Sequence, residues 1–182
     1  MNKDQELPPS NMKHPTTPPV LRSLFWTGFL LGVGIMAFLD ETFLHQLLQW
    51  HTFYWNTDQH GRILSDGLFH LFSTLLLLWG TFRLWHGRTS WDLPYRYAVI
   101  AAIFIGAGSF NLYDGIVQHA ILHFHLVNER VCASAATQAD TIFGICRNDL
   151  PYEIVFDLLA LLILTIGIVW WRQATQTLLA EK

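Results

Sequence analysis

Four long apolar runs constrain what this chain can fold into more than any other feature of its sequence. The runs are Leu21 to Trp50, Gly67 to Trp85, Tyr97 to Leu126 and Tyr152 to Trp171. A helix needs about 20 mostly apolar residues to cross a bilayer, and every run reaches roughly that length. Hydrophobic residues make up 52% of the chain and charged residues only 14%, a composition typical of membrane proteins. The sequence therefore predicts an all-α integral membrane bundle of four helices.

The segments outside these runs divide the chain into tails and a membrane domain. Residues 1–20 are polar and rich in proline, which indicates a disordered tail. We expect the transmembrane domain to cover residues 21–172, in halves of about 21–86 and 95–172, followed by a short tail over 173–182. The first run is too long for a signal-peptide core and no small-residue cleavage site follows it, so we expect it to remain as a span.

Basic residues are concentrated on one side of the expected spans, and cytoplasmic loops carry most of the Lys and Arg in membrane proteins. The residues on this side are Lys3, Lys13, Arg22, Arg83, Arg88, Arg96, Arg172 and Lys182. Those on the other side are Arg62, Arg130 and Arg147. We therefore expect both termini in the cytoplasm, with the loops over 52–65 and 127–151 on the outer or periplasmic side.

Two cysteines, Cys132 and Cys146, both fall in the second of these outer loops. An oxidising compartment would allow them to pair, and we predict a disulfide. A redox-active or metal-binding thiol pair is the alternative. Their spacing is much wider than that of a CxxC motif and gives this alternative little support.

Two segments about 74 residues apart carry the same polar residues within apolar surroundings. The first set is Asp40, His45 and His51, and the matching set is Asp114, His119 and His125. A weaker match pairs Asp66 and His70 with Glu153 and Asp157. Because ionisable groups are costly in hydrocarbon, their repetition indicates a shared site at the outer end of the bundle. We expect a bundle of two parallel helix-pair repeats.

Helical periodicity sorts these residues into expected roles. On an α-helix that advances about 100° per residue, Glu41 and His45 share an inward stripe with Gln49, as do Gly115 and His119 with His123. Asp40 and Asp114 lie about 140° away from their histidines, so we expect them to orient a neighbouring imidazole or to bind a second ion. His51 and His125 are expected at the membrane interface with their tips in water.

The expected metal ligands are therefore the deeper histidines and the carboxylates that face them. The histidines are His45, His70, His119 and His123, and the carboxylates are Glu41, Asp66, Glu153 and Asp157. The supporting residues are Asp40, Asp114, His51 and His125. Structural roles compete for two of the carboxylates, since Asp66 could be a helix N-cap and Glu153 could interact with a helix dipole.

Imidazoles and carboxylates inside a bundle predict a transition-metal site, which we expect to be dinuclear and to serve redox chemistry or metal handling. Copper or iron is favoured and zinc is possible; any enzyme activity would be that of a membrane oxidoreductase. One alternative is a haem-binding electron carrier with His45 and His119, or His70 and His119, as axial ligands. Another is a proton-relay or structural subunit of a larger membrane or respiratory complex. The slight negative charge of −3 gives nucleic-acid binding no support.

The two histidine motifs also carry a family resemblance. The segments Asp114-Gly-Ile-Val-Gln-His119 and His45-Gln-Leu-Leu-Gln-Trp-His51 resemble a motif of an uncharacterised family of predicted four-helix bacterial membrane proteins, defined as a domain of unknown function. The resemblance covers the chain from about Leu21 to Trp171. It implies four spans in a bacterial inner membrane and no established reaction. The chain has Glu41 after Asp40, where the family pattern has Gly, and this leaves open whether Glu41 adds a ligand.

Overall fold

The computed structural model describes residues 18–87 and 93–180. Its helices are α1 (Pro18–Asp40), α2 (Gln59–Gly87), α3 (Leu93–Tyr113), α4 (Ala135–Ala139) and α5 (Leu150–Ala180). Two π-helical segments, Glu41–Leu47 and Asp114–Ile121, directly continue α1 and α3. Within the described residues, α1 and α3 with their extensions, α2 and α5 are long and apolar enough to cross a membrane. The prediction of an all-α membrane bundle is confirmed.

The helix ends differ from the limits of the apolar runs. Helix α2 begins at Gln59, well before the run that starts at Gly67, because the Asp58 carboxylate accepts a hydrogen bond from the Gly61 amide at 2.8 Å and caps a polar first turn. Helix α5 continues to Ala180, so residues 173–180 of the expected tail are helical. The rest of the two expected tails, 1–17 and 181–182, lies outside the described residues.

Close contacts between backbones hold the centre of the bundle together. Helix α3 packs against both α1 and α5, and α1 packs against α2. Gly28 lies against Val99 and Gly32 against Ile103, so the contacts advance in the same direction along α1 and α3. A side chain at Gly32 would collide with the backbone of Ile103, which explains why a glycine occupies this position.

The outer helices expose their apolar side chains rather than bury them. Leu68, Leu75 and Leu78 of α2 and Leu158 and Leu162 of α5 are all more than half exposed. A protein surrounded by water rarely exposes apolar surface of this extent, whereas lipid accommodates it. The exposed faces of α2 and α5 are therefore the surfaces that would contact the bilayer.

The segment between the second π-helical segment and α5 forms a small folded cap. It contains a 3₁₀ turn (Glu129–Cys132), α4, and the antiparallel strands β1 (Thr141–Ile142) and β2 (Ile145–Cys146). Cys132 and Cys146 form a disulfide. Leu126 and Ile145 pack with this disulfide into a buried cluster that lies at the same end of the bundle as both π-helical segments.

Candidate metal centre

The two π-helical segments determine which side chains meet. A π-helix bonds each amide to the carbonyl five residues earlier, so residues five apart lie on the same face. Asp40 Oδ2 consequently lies 3.4 Å from His45 Nε2, and Asp114 Oδ2 lies 3.3 Å from His119 Nε2. The expectation that each aspartate points about 140° away from its histidine is therefore wrong, because it assumed α-helical geometry throughout.

A left-handed residue lies two positions after the end of each π-helical segment. Gln49 and His123 both have φ of 52°, a conformation that is uncommon outside glycine. The reversal turns the chain back over the end of the bundle, and it buries His51 and His125 to 3% and 1% exposure. The expectation that these two histidines reach water at the membrane interface is wrong. The same reversal leaves Gln49 exposed, so the inward stripe predicted through it ends at His45.

Two triads result, each made of one carboxylate and two imidazoles. The first triad is Asp40, His45 and His51, and the second triad is Asp114, His119 and His125. Within each triad the three candidate ligand atoms lie within 4.8 Å of one another, and all six residues are buried. This is close enough for one ion to draw the three atoms of a triad together.

Each of the four histidines uses its Nδ1 atom for a hydrogen bond directed away from the triads. His51 Nδ1 donates to the Val127 carbonyl at 2.8 Å, and His125 Nδ1 donates to the Phe53 carbonyl at 3.0 Å. His45 Nδ1 lies 3.1 Å from Asp66 Oδ1, and His119 Nδ1 lies 2.9 Å from Glu153 Oε2. These contacts fix the ring orientations, and because their oxygen partners accept hydrogen bonds, they favour a proton on Nδ1 and leave Nε2 as the ligand atom.

The four Nε2 atoms are buried and have no hydrogen-bond partner among the described residues. Three of them, those of His45, His119 and His125, lie 3.4, 3.3 and 3.5 Å from an aspartate oxygen of their own triad. A carboxylate or carbonyl on one ring nitrogen, with the other nitrogen free, is the arrangement found around metal-ligating histidines. Burial, together with the neighbouring His125 and His45, holds the pKa of His51 well below its usual value. The imidazole of His51 is therefore neutral near pH 7, as a metal ligand must be.

The two halves of the chain make corresponding contacts around the triads. The amide of Phe53, two residues after His51, donates to Asp66 Oδ1 at 2.7 Å. The amide of Val127, two residues after His125, donates to Glu153 Oε1 at 3.2 Å. Asp66 on α2 and Glu153 on α5 thus each bond a histidine ring and a backbone amide two residues after the other histidine of that triad.

The triads lie side by side. The ring centroids of His45 and His51 are 4.3 Å apart, those of His119 and His125 are 4.4 Å apart, and those of His51 and His125 are 4.8 Å apart. His51 and His125, one from each triad, stack on each other and join the two triads into a single cluster.

Two further carboxylates, those of Glu41 and Asp157, make different contacts in the two halves. Glu41 is fully buried, and its Oε2 lies 3.2 Å from His45 Nδ1, on the side of the ring away from Asp40. Glu41, His45 and Asp66 form a third group of potential ligands. At the position matching Glu41 the second half has Gly115, and the Asp157 carboxylate lies where a side chain at Gly115 would be. Asp157 Oδ1 is buried without a hydrogen-bond partner among the described residues.

The structure places two of the four expected histidine ligands outside both triads. His70 is exposed, and its ring packs against Phe38 with centroids 5.4 Å apart. His123 is half-buried, and its Nδ1 bonds the carbonyl of His119 at 2.9 Å. Asp66 and Glu153, expected as ligands, contact instead the Nδ1 atoms of the triad histidines. The four residues expected to have supporting roles are themselves members of the triads: Asp40, Asp114, His51 and His125.

Asp149 was missed in the sequence because it precedes the last apolar run and looked like an ordinary loop residue. Its side chain is fully buried and accepts hydrogen bonds from the amides of Val127 and Asn128 at 3.1 and 2.9 Å. Its spacing of four residues from Glu153 was the available signal, since residues four apart on a helix share a face.

Comparison with known proteins gives one match. The model of a family described as "Predicted membrane protein (DUF2243)" matches residues 27–174, which include both triads, α2 and the disulfide-linked cap. Neither the curated proteins nor the solved structures give a match.

Proposed function

This chain belongs to the DUF2243 family of predicted membrane proteins, and we propose that its two triads hold a dinuclear transition-metal centre within the bundle. The observation that carries the proposal is the set of four buried Nε2 atoms that have no hydrogen-bond partner among the described residues. A buried polar atom without a partner costs about 1–3 kcal/mol. Metal coordination would offset this cost at all four atoms and would also balance the charges of Asp40 and Asp114.

The donor set indicates the class of metal. Two imidazoles and one carboxylate per ion are the protein ligands of many non-haem iron sites and of some catalytic zinc sites, and imidazole also suits copper. We propose iron or copper, bound for redox chemistry or for metal handling, with zinc as the alternative. Each triad supplies three ligands, so each ion would keep coordination positions for water or a small molecule.

The ring contacts favour two ions over haem. His45 and His51 of the first triad touch each other, as do His51 and His125 across the two triads. A haem held between His45 and His119 would have to displace the rings packed beside them. The His51 centroid lies 4.3 Å from that of His45, and the His125 centroid lies 4.4 Å from that of His119. His70, the other expected haem ligand, is exposed on α2.

We further propose that the bundle consists of two parallel helix-pair repeats, with the metal centre at the periplasmic face of a bacterial inner membrane and both termini in the cytoplasm. The corresponding contacts of Asp66 and Glu153 support the repeat. The disulfide of Cys132 and Cys146 lies at the same end as the triads and supports an oxidising compartment on that side.

Metal analysis of the detergent-purified protein tests the proposal. We expect about two ions of iron or copper per chain in the parent, and at most half of that in His51→Ala and in His125→Ala. His86→Ala is the matched control, since His86 is an exposed histidine near the end of α2 whose Nδ1 bonds only its own helix in the described structure. It should retain the parent metal content.

His70→Ala tests whether the ligands are those expected from the sequence pattern or those of the two triads. His70 was an expected ligand but lies outside both triads, so this variant should also keep both ions. A parent protein that stays free of metal after anaerobic reconstitution would overturn the proposal and favour a proton-relay or structural subunit. Full metal content in both His51→Ala and His125→Ala would overturn the assignment of the triads as ligands.

A further inference from the structure

A cavity of about 610 Å³ opens beside the first triad. His45 and His51 form part of its wall together with Asp66, and the described residues that line it do not include His119 or His125. This cavity therefore reaches the first triad and not the second, although the two triads are similar in ligands and burial.

Two arginines and two acidic residues, Asp66 and Glu129, line the cavity. Arg62 and Arg130 both line it, and their guanidinium groups are only loosely held. Arg62 Nη1 lies 3.7 Å from Glu129 Oε2, and Arg130 Nη2 lies 3.4 Å from Gln49 Oε1. Guanidinium groups without close partners can donate charge-assisted hydrogen bonds to a small anion that enters the cavity.

Two buried polar atoms in the same wall have no hydrogen-bond partner among the described residues. They are Thr52 Oγ1 and Glu129 Oε1. Because a buried polar atom is normally hydrogen-bonded, these two atoms indicate a polar occupant of the cavity. Burial raises the pKa of Glu129 to about 7, so near neutral pH much of this side chain is protonated and opposes an anion less.

The second triad is covered at the corresponding place. Arg62 lies four residues before Asp66, and at the same spacing before Glu153 the chain has Asp149. Asp149 is fully buried and binds the amides of Val127 and Asn128, which fixes the chain directly after His125. Leu126, Ile145 and the disulfide then pack together beside this segment. The 3₁₀ turn of the cap thus contributes Arg130 to the opening at the first triad, whereas the disulfide cluster of the cap packs over the chain beside the second triad.

We propose that the two metal positions are inequivalent: the position at Asp40, His45 and His51 takes a small water-soluble anion through the arginine-lined cavity, and the position at Asp114, His119 and His125 is closed. This inference rests on the proposed metal centre. Under this proposal the ion in the first triad exchanges its non-protein ligands, whereas the ion in the second triad keeps its ligands and supports the site. The occupant belongs to the class of small anions that coordinate metals through one atom.

Azide, a small anion that coordinates metals through one atom, is a suitable probe for the metal-loaded protein. We expect calorimetry to show a single azide bound per dinuclear centre. Arg62→Gln and Arg130→Gln should each weaken this binding roughly tenfold, as loss of a charge-assisted hydrogen bond would, while the metal content stays unchanged. Arg147→Gln is the matched control, because Arg147 lies in the same cap but pairs with exposed Asp140 at 2.9 Å. It should bind azide as the parent does.

The rate of metal release by EDTA provides a second readout. We expect two phases of equal amplitude, one fast and one slow, from the parent protein. Ala133→Trp places a bulky ring in the cavity wall and should slow the fast phase alone. Release in a single phase, two bound azides, or azide affinity unaffected by both arginine substitutions would overturn the inference while the metal centre stands. A protein without bound metal would overturn the metal centre itself, and with it this inference.

Discussion

Replacing Asp149 by Asn should change how the stability of this protein depends on pH. Burial, together with the neighbouring Glu153, raises the pKa of the Asp149 carboxyl from 3.8 to about 7. Between these two values the folded protein holds a proton on Asp149 that the unfolded chain has already released. The free energy of unfolding therefore falls as the pH rises from about 4 to about 7, because the unfolded state binds fewer protons than the folded state.

The size of the effect follows from the same pKa values. A tenfold change in an acid dissociation constant corresponds to about 1.4 kcal/mol, so a rise from 3.8 to about 7 removes up to about 4 kcal/mol of stability over this pH range. The asparagine side chain of the variant would not titrate, but its amide nitrogen could not accept a hydrogen bond. One of the Val127 and Asn128 amides would lose its acceptor, at a cost of about 1–3 kcal/mol.

We therefore expect Asp149→Asn to be less stable than the parent near pH 4 and equally or more stable near pH 8. Thermal unfolding in detergent, followed by circular dichroism at several pH values, measures this difference. Asp140→Asn is the control, since it makes the same chemical change at an exposed carboxylate of the same cap. Parallel curves for the parent and Asp149→Asn would refute the reasoning.

Two further predictions concern the cap and the helix contacts, and thermal unfolding in the same detergent tests both. Replacing Cys132 and Cys146 together by Ser should lower the free energy of unfolding by roughly 3 kcal/mol, because the disulfide closes a short loop; an unchanged Tm would contradict this. Gly106→Leu should lower the Tm, since a side chain there would collide with the backbone of Phe29. A side chain at Gly67 would meet no neighbouring atom within 4 Å, so Gly67→Ala should stabilise α2 by about 0.5–1 kcal/mol. An equal fall of the Tm in both glycine variants would argue against the α1–α3 contact.

The apolar runs predicted the four long helices because the thickness of the bilayer sets the length of a span and its hydrocarbon requires apolar side chains. The ends of the helices could not be predicted in the same way. Asp58 caps α2 with a polar turn that no hydropathy pattern marks, and α5 continues through residues 173–180. Helix ends depend on individual hydrogen bonds, and these are decided by few residues.

The repeat identified the six residues that form the triads but not their arrangement. Projection on an α-helix separated Asp40 from His45, whereas the π-helical segment places them on one face. Asp40 precedes His45 by five residues, as Asp114 precedes His119, and this spacing is the one that a π-helix brings onto one face. His51 and His125 lie beyond the helix ends, and their burial depends on the chain reversals at Gln49 and His123, which an analysis of spans cannot supply.

Each half of the chain supplies a carbonyl that a histidine of the other half requires, and this sets the order in which the site can form during synthesis. His51 needs the carbonyl of Val127, and His125 needs the carbonyl of Phe53. When the ribosome has completed only the first helix pair, His51 has no acceptor, because Val127 does not yet exist. The first pair can enter the membrane by its hydropathy, but it cannot complete its polar arrangement until the second pair is translated. A prematurely terminated chain would therefore keep polar groups without partners in the membrane, which makes it a ready target for membrane quality-control proteases.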